Sequence, residues 1–436
     1  MKKPNLLLLS GVYPFRGGEP FLDLEVQIIS KYFNVFILPC GANNQQRVYG
    51  LPENVSVLEL ESQYITNQKR SVISLIRYCL GSFPYLFQEG RNDLIHLLHP
   101  LGFARAFWRA VRAQIIAPII SEISWAKDIK VIYSYWMSYE ALAAVIAQGK
   151  AGLDLLTITR AHRHDLYDYA NTPRYCPFQK HIMENIDAVV TVSQNGEEYL
   201  VNKYPGNKNK VHTFRLGVLR GGKASFSTDG IFRIASCSSL KPVKRVHLIP
   251  EVLRQVDFPI FWTHIGDGPE MSRVLRSVNK TKKERPLFLV NLMGYLDNKK
   301  VLEFYETNPV DLFINVSSSE GIPVSIMEAL SRGIPVLATD VGGNSEIIDQ
   351  AEGSGWLIPA QFSLTDLSRL IERIEEEHLH LPAKDKAYLV WERNYNGLHN
   401  YRIFSEWILA NLKKNNIDEI YPRNRNPYNP GCCRTI

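Results

Sequence analysis

Residues Asn315–Ile348 read NVSSSEGIPVSIMEALSRGIPVLATDVGGNSEII, and two of their glutamates, Glu320 and Glu328, have seven residues between them. The apolar run that ends at Val316 predicts a buried strand, and the serines and glycine after it predict a loop. Pro323 suits the first turn of a helix, where its missing N–H costs nothing. This order predicts a helix whose N-terminus lies at the carboxyl end of a strand, a place that favours a phosphate or another anion.

The two glutamates are placed to accept hydrogen bonds from hydroxyl groups. Glu320 lies on the loop that follows the strand, and Glu328 lies about one and a half turns into the helix. In an alternative interpretation the stretch is an ordinary βαβ unit and Glu328 is a solvated helix residue. That alternative explains the proline and glycine positions, but not why Glu320 opens the helix or why Gly342 and Gly343 follow it.

The ordered pattern Glu-Gly-x-Pro-x4-Glu-Ala, then Gly-x-Pro-Val, Gly-Gly and Glu, resembles the signature of family 4 of the retaining nucleotide-sugar glycosyltransferases. The resemblance implies the GT-B fold, which is α/β with two Rossmann-like doubly wound domains facing across a cleft. It also implies that Glu328 accepts hydrogen bonds from ribose hydroxyls and Glu320 from sugar hydroxyls. The helix start is expected to bind the donor diphosphate, through Gly321, Ile322, Pro323 and Val324.

Length and composition fit a globular protein with two domains, since the chain has 436 residues, 45% hydrophobic residues and 22% charged residues. No apolar run approaches the ~18–20 residues of a spanning helix. Six scattered cysteines do not form a disulfide framework and indicate a reducing cytosol. A net charge of +6 permits attraction to an anionic membrane or substrate but not a nucleic-acid-binding profile. We therefore predict a cytoplasmic protein, peripheral on the inner face of the membrane.

Strand-like runs alternate with helical stretches in two successive series, which predicts two parallel α/β domains. The predicted strands are Leu6–Ser10, Val35–Pro39, Val131–Tyr135, Leu155–Thr159 and Ala188–Val192, then Ile231–Ser236, Ile260–Ile265, Leu287–Met293, Leu312–Val316 and Val336–Thr339. The predicted domains are 1–215, an N-terminal acceptor-side Rossmann-like domain; 216–230, a linker; 231–390, a nucleotide-sugar-binding Rossmann-like domain; 391–412, a helix that in relatives crosses back to the first domain; and 413–436, a polar tail.

The stretch Cys237–Arg245 follows a predicted strand and opens a helix. It is similar to the family's Gly-Arg-Leu-x4-Lys loop, and Lys244 matches the phosphate-binding lysine. A lysine is a compact charge that can neutralise a diphosphate leaving group. Ser239 stands where the family has an arginine, so either Lys241 or Arg245 is left to supply the second charge. A solvated basic surface is the alternative interpretation of these side chains.

Two further turns of the second domain resemble family segments. Gly266-Asp-Gly-Pro269 is expected to form a tight strand-to-helix turn, because the full dinucleotide fingerprint and a P-loop lysine are both absent. Gly294, Tyr295 and Leu296 match the segment that lines the nucleotide base in relatives. A glycine there lets the base approach the main chain closely.

In the first domain, Gly17 and Gly18 follow the opening strand and resemble the family's Gly-Gly loop near the point of transfer. An ordinary β–α turn is the alternative. Residues Thr159–Asp165 resemble the family's His motif, which implies that His162 donates or accepts a hydrogen bond near the transferred sugar. A structural histidine is the alternative there.

Residues Gly102–Ile116 predict an amphipathic helix with Arg105, Arg109 and Arg112 on one face. A basic amphipathic helix can rest on an anionic membrane or dock a lipid-linked acceptor. A core helix with a solvated basic face is equally consistent with the pattern.

Together these features predict a retaining hexosyltransferase. It would move a sugar from a nucleotide diphosphate donor to a lipid-linked or growing polysaccharide acceptor, with His162, Lys244 and Glu320 as catalytic residues. No cluster has metal-ligand spacing, so we predict a metal-independent reaction with no cofactor. The alternatives are a nucleotide-sugar epimerase of the same architecture and a non-catalytic membrane-docked relative.

Overall fold

The computed structural model describes residues 3–15, 19–41, 49–58, 72–151 and 155–413. The chain divides into two compact units. The first unit combines Met1–Arg215 with Tyr401–Ile436, and the second is Leu216–Asn400. Each unit is built on its own parallel sheet, so the predicted fold class is confirmed.

Among the described residues, the first unit contains a seven-stranded parallel sheet in the order β3-β2-β1-β4-β5-β6-β7. Its strands are β1 (Asn5–Ser10), β2 (Asn34–Pro39), β3 (Val55–Val57), β4 (Ile129–Ser134), β5 (Leu156–Ala161), β6 (Ala188–Thr191) and β7 (Val211–Thr213). Its helices are α1 (Leu22–Ile29), α2 (Val72–Asn92), α3 (Leu94–Leu98), α4 (Pro100–Ala126), α5 (Tyr139–Ala151), α6 (Arg163–Leu166), α7 (Gln179–Asn185) and α8 (Gln194–Lys203), with 3-10 turns at Asp168–Ala170 and Pro205–Lys210.

Strand β1 is an inner strand of this sheet and pairs with β2 on one side and β4 on the other. Its residues Leu6–Leu9 are all buried, as expected for a parallel strand that is covered on both faces. Leu7 and Leu9 point into a cluster with helices α4 and α5, whereas Leu6 and Leu8 point into a second cluster. The continuous apolar run that begins the sequence is therefore a central strand.

The second unit contains, among the described residues, a six-stranded parallel sheet in the order β10-β9-β8-β11-β12-β13. Its strands are β8 (Phe232–Cys237), β9 (Ile260–Ile265), β10 (Phe288–Leu292), β11 (Leu312–Asn315), β12 (Val336–Thr339) and β13 (Gly355–Ile358). Its helices are α9 (Leu248–Leu253), α10 (Met271–Glu284), α11 (Asn298–Thr307), α12 (Val324–Leu330), α13 (Asn344–Ile347), α14 (Leu364–Glu376) and α15 (His380–Asn394), with a 3-10 turn at Pro242–Lys244.

Both sheets share one strand order, in which the chain winds outward from a central strand, returns, and winds outward on the other side. This is the Rossmann order, and its topological switch point lies between the first and fourth strands. In the second unit the switch point lies between β8 and β11, which pair directly. Ligands of open α/β sheets bind outside the carboxyl ends of the strands at such a point.

The segment 216–230, which the sequence predicts to be a linker, is held along the second unit. The backbone N–H of Ala224 donates to the carbonyl of Arg332 at 2.9 Å. Ser227 donates to the Asp311 carboxylate through its backbone N–H at 2.8 Å and through its hydroxyl at 2.6 Å. The segment therefore belongs to the second unit.

The helical pattern predicted over 391–412 is divided between two helices. Helix α15 ends at Asn394, and α16 (Gly397–Lys413) begins after a short break. Phe404, Trp407 and Ile408 of α16 pack in the core cluster of the first unit. Residues from Tyr401 onward accordingly belong to the first unit, although they follow the second in sequence. The tail beyond residue 413 lies outside the described residues.

Candidate nucleotide-sugar site

The loops after β8 and β11 bring Lys244 and Glu320 into direct contact. Lys244 Nζ donates to both carboxylate oxygens of Glu320, at 2.7 and 2.8 Å. The two residues lie 76 positions apart in sequence, and the switch point of the sheet brings their loops together. A cationic and an anionic side chain that were predicted separately thus form one pair at the expected ligand-binding edge.

The Glu320 carboxylate is held by three residues and is only 5% exposed. Besides Lys244, it accepts hydrogen bonds from Ser317 Oγ at 2.6 Å and from Asn315 Nδ2 at 3.2 Å. Asn315 ends β11 and Ser317 follows it, so the strand fixes the carboxylate through side chains at its own carboxyl end. These donors orient the carboxylate, because a buried charged group needs its hydrogen-bonding capacity filled.

Arg245, one of the two candidates for the second phosphate-binding charge, is committed to the scaffold. Its guanidinium donates to the carbonyls of Val316, Ser317 and Ala360 at 2.8, 3.0 and 2.9 Å. Its backbone lies in the left-handed region at a φ of 50°. Arg245 therefore ties the 3-10 turn to the β11 loop. Lys241, at the start of the same turn, is exposed.

Gly342 and Gly343 lie directly against the backbone of the Glu320 loop. Gly342 has a φ of 56°, and a Cβ atom there would lie 2.1 Å from the Glu320 carbonyl oxygen. The N–H of Gly343 donates to the Gly321 carbonyl at 2.7 Å. Only glycine fits this combination of close approach and left-handed backbone. The Gly-Gly pair thus supports the loop that carries Glu320 and the start of α12.

The turn Gly266-Asp-Gly-Pro269 supports the loop after β8 in a similar way. Gly266 has a φ of 138°, and a Cβ there would lie 1.9 Å from the Ser238 carbonyl oxygen. Leu240 N–H donates to the Asp267 carbonyl at 2.9 Å. Ser239, between these contacts, is exposed at the loop surface. The turn positions the Ser239 loop through backbone contacts.

Glu328 lies in α12 and is 5% exposed. Burial raises the pKa of this carboxyl to about 7. Asn298 Nδ2 donates to Glu328 Oε1 at 2.5 Å, which favours the ionised form and opposes the effect of burial. The carboxyl therefore titrates near neutral pH, and one of its oxygens already has a hydrogen-bond donor.

We expect Glu328→Gln to raise the melting temperature at pH 8 and to leave it nearly unchanged at pH 4. A carboxyl with a raised pKa holds its proton more tightly in the folded chain, so its stabilising effect is lost as the pH rises from about 4.5 through about 7. Thermal unfolding between pH 4 and pH 8 measures this, and Glu303→Gln, an exposed change on α11, is the control. If the melting temperatures of the parent and of Glu328→Gln changed with pH in the same way, the expectation would be contradicted.

The segment matched to the nucleotide base follows β10 and contacts the loop after β9. Gly294 has a φ of 68°, and its carbonyl accepts a hydrogen bond from Gly266 N–H at 2.8 Å. Tyr295 is 80% exposed, and Leu296 is half-buried. The main chain of this segment is fixed by a hydrogen bond, whereas most of the Tyr295 side chain is exposed.

In the first unit, His162 follows the end of β5 and starts helix α6. Its backbone N–H donates to Asp165 Oδ1 at 2.6 Å, and its ring packs against Tyr135 and Trp136, with ring centroids 4.7 Å away in both cases. Burial, aided by the nearby Arg160 charge, lowers the pKa of His162 to about 3. The imidazole is therefore neutral, and its buried Nε2 has no hydrogen-bond partner among the described residues.

Glu19 fixes the start of the loop after β1. Its carboxylate accepts from the backbone N–H groups of Gly11, Val12 and Tyr13 at 2.8, 3.1 and 2.7 Å. It also accepts from Trp136 Nε1 at 2.7 Å, which joins this loop to the one after β4. Gly17 and Gly18, predicted to lie in the same loop, fall outside the described residues.

The basic face predicted for Gly102–Ile116 is turned toward protein, which corrects the expected orientation. Arg105 donates to the carbonyls of Thr172, Pro173 and Tyr175. Arg112 donates to the Cys40 carbonyl and lies over the rings of Trp108 and Tyr139. Arg105 and Arg112 thus hold α4 to neighbouring backbone carbonyls.

Sequence reasoning missed three side chains that hold the glutamates. Asn315 and Ser317 lie within the quoted signature, and their place five and three positions before Glu320 was the available signal. Asn298 lies 30 positions from Glu328 in sequence, so no local pattern could have indicated it. Within the described ranges, no three His, Cys, Asp or Glu side chains group as metal ligands. The same ranges contain no helix that is both long and apolar enough to span a bilayer.

Comparison with known proteins gives a consistent result. Residues 224–388 match the family model described as Glycosyl transferases group 1. The chain is 24% identical over 306 residues to the N-acetyl-alpha-D-glucosaminyl L-malate synthase of Bacillus anthracis, a stretch that covers 67% of this chain and 77% of that protein.

Two solved structures are similar over nearly the whole chain. The apo form of the lipopolysaccharide outer core galactosyltransferase WaaB has a TM-score of 0.66 at 14% identity and covers 93% of this chain and 99% of its own. Anabaena HepE in complex with UDP and glucose has a TM-score of 0.62 at 15% identity, with 93% and 100% covered. These likenesses confirm the GT-B fold.

Proposed function

We infer that this chain, whose residues 224–388 match the family model of the glycosyl transferases group 1, is a retaining glycosyltransferase that uses a nucleotide diphosphate sugar. The observation that carries this proposal is the Lys244–Glu320 pair at the switch point of the second sheet. A cation and an oriented carboxylate side by side can meet the two halves of such a donor. The cation would bind the diphosphate, and the carboxylate would accept hydrogen bonds from sugar hydroxyls.

The reaction requires stabilisation of the departing diphosphate. Its departure leaves an oxocarbenium-like sugar, so fixed positive charge and N–H groups aimed at the phosphates lower the barrier. Lys244 is half-buried and already oriented by Glu320. The backbone N–H groups at the start of α12 and the exposed Lys241 would complete the anion site, since Arg245 is bound to three carbonyls.

Glu328 would accept hydrogen bonds from the ribose hydroxyls. Because the pKa of its carboxyl is about 7, binding of the donor would change with pH near neutrality. Asn298 would hold one carboxyl oxygen so that the other faces the ribose. For His162 we propose a hydrogen bond to the transferred sugar, which its neutral imidazole could provide without placing a second positive charge near an oxocarbenium ion. Retention would follow from attack on the same face, with the leaving phosphate as base.

The donor we favour is a uridine diphosphate hexose, and the acceptor a lipid-linked or growing polysaccharide. Anabaena HepE, which shares the fold, was solved in complex with UDP and glucose. WaaB, also of this fold, is described as a lipopolysaccharide outer core galactosyltransferase. We expect the reaction to be independent of added metal, so that EDTA leaves the rate unchanged.

Melting temperatures measured with UDP, GDP and ADP would test the donor site, because a ligand that binds only the folded chain raises apparent stability. We expect UDP to give the largest rise in the parent and a small one in Lys244→Ala. Equal melting temperatures with and without all three nucleotides would overturn the donor site.

Incubation with the preferred nucleotide sugar alone would separate a transferase from an epimerase. A transferase gives at most slow hydrolysis to the free sugar, and NMR of the first product should show the anomeric configuration of the donor. An epimerase would interconvert two nucleotide sugars without an acceptor. Detection of a second nucleotide sugar would therefore replace the proposed activity with the alternative.

A further inference from the structure

Helices α2 and α3 of the first unit present a continuous apolar face to solvent, which we call the outer apolar face. Its large side chains are between 52% and 83% exposed. Isolated exposed apolar residues are ordinary, whereas a contiguous group of this kind marks a binding surface. The members are Ile76, Leu80, Phe83, Phe87, Ile95 and Leu98.

The spacing of these residues places them on one side of α2. Ile76, Leu80, Phe83 and Phe87 follow one another by four, three and four positions, which is the period of a helix face. Leu86, one position before Phe87, points inward and is 4% exposed. The helix therefore already packs its inner side against the unit, and the outer apolar face needs a second apolar environment.

Charge around this face is positive. Arg77 and Arg91 are exposed on α2 beside the apolar side chains, and the Arg91 guanidinium lies 5.8 Å from the centroid of the Phe87 ring. Of the two carboxylates of this part of the chain, Glu89 is 4% exposed, whereas the Asp93 side chain is 35% exposed and paired with His96. Glu89 accepts from Tyr175 and Phe178, and Asp93 accepts from His96. A partner that fits this face must therefore be anionic at its own surface and apolar beneath that surface.

We propose that the outer apolar face docks on the surface of an anionic lipid bilayer, with the phenylalanine and isoleucine side chains inserted below the headgroups and Arg77 and Arg91 at the phosphates. A lipid surface offers that layering of charge above hydrocarbon. The contact does not use the basic face that the sequence predicts on α4, because Arg105 and Arg112 are bound to carbonyls. The docking is independent of sugar transfer.

Flotation of the full chain with vesicles tests the proposal. We compare vesicles that contain about one third phosphatidylglycerol in phosphatidylcholine with vesicles of phosphatidylcholine alone. Phe83→Ser/Phe87→Ser should lower the partition coefficient by about tenfold or more, because two buried aromatic side chains are lost from the bilayer. Arg77→Gln/Arg91→Gln should lower binding to the anionic vesicles by about fivefold or more, since each cation near the surface is attracted by lipid charge.

The matched control is Leu381→Ser/Leu389→Ser, two apolar residues of α15 that are 49% and 50% exposed. This pair should bind vesicles as the parent does, and all variants should melt within a few degrees of one another.

The proposal is overturned if the parent does not float with anionic vesicles, or if the phenylalanine pair and the control pair bind equally. It is also overturned if the parent is a dimer that the phenylalanine pair converts to a monomer, since a second copy would then cover the face. Donor hydrolysis, unchanged in the phenylalanine pair, keeps a failure of docking distinct from a failure of the proposed activity.

Discussion

Replacement of Lys244 by alanine is expected to lower kcat/KM for sugar transfer by about 10²- to 10³-fold, the usual cost of losing one group that stabilises developing negative charge. The lysine is the only partner of Glu320 that carries positive charge among its hydrogen-bonding neighbours in the described structure. Loss of Lys244 would therefore remove the positive charge that we propose binds the diphosphate. It would also leave the buried Glu320 carboxylate without a cation. Steady-state rates of transfer, or of donor hydrolysis until the acceptor is known, measure the effect.

The double variant Lys244→Ala/Glu320→Gln separates these two contributions. Residues that contact each other are not additive, so we expect the pair to lose less activity than the product of the two single losses. Lys282→Ala removes an exposed lysine from the last turn of α10 and should act as the parent does. Parent-like rates for Lys244→Ala would exclude the site as assigned.

Glu25→Ala should destabilise the first unit by about 3–5 kcal/mol, the usual result of removing one partner of a buried ion pair. Glu25 and Arg160 are fully buried, and Arg160 Nη2 donates to Glu25 Oε1 at 2.9 Å. Tyr133 Oη donates to the same oxygen at 2.8 Å, and Arg160 donates to Tyr133 Oη at 2.6 Å. Without the carboxylate, the guanidinium would remain charged in an apolar core. Urea unfolding followed by tryptophan fluorescence measures the change.

Two comparisons sharpen this expectation. Glu25→Leu/Arg160→Met replaces both charges with apolar groups of similar size, and we expect it to lie much closer to the parent than Glu25→Ala does. Glu377→Ala removes the partner of Arg373 from an exposed pair and should cost at most about 1 kcal/mol. If Glu25→Ala and Glu377→Ala lowered the free energy of unfolding by the same amount, the hydrogen-bonded network around Arg160 would not stabilise the first unit as its burial indicates.

The central strands could be read from the sequence because burial on both faces leaves an unbroken apolar run. Ile260–Ile265 and Val336–Thr339 were predicted with the bounds that the structure has. The three strands that were missed are β3, β7 and β13, and each lies at an edge of its sheet. An edge strand has one neighbour and needs few residues, so Val55–Val57 leaves almost no periodic signal.

In the candidate site, too, a local sequence pattern predicts some features, whereas others depend on contacts between residues that are distant in sequence. The order of glutamate, glycine and proline residues after β11 was enough to predict the loop and the helix start. The role of Glu320 beside an anion site stays a prediction. The role of Arg245 could not be predicted, because its partners Val316 and Ala360 are brought to it only by the folded sheet. The outer apolar face was hidden for a related reason, since a helical period does not say which side of the helix meets the protein.

Helix α16 has a consequence for biosynthesis. Phe404, Trp407 and Ile408 complete a core whose other buried members lie before residue 215, so a nascent chain that leaves the ribosome cannot close its first unit until these three residues have been made. The second unit, which ends at Asn400, has all of its strands available earlier. The core around β1 must therefore stay partly uncovered while the whole second unit is synthesised, until α16 is available to close it.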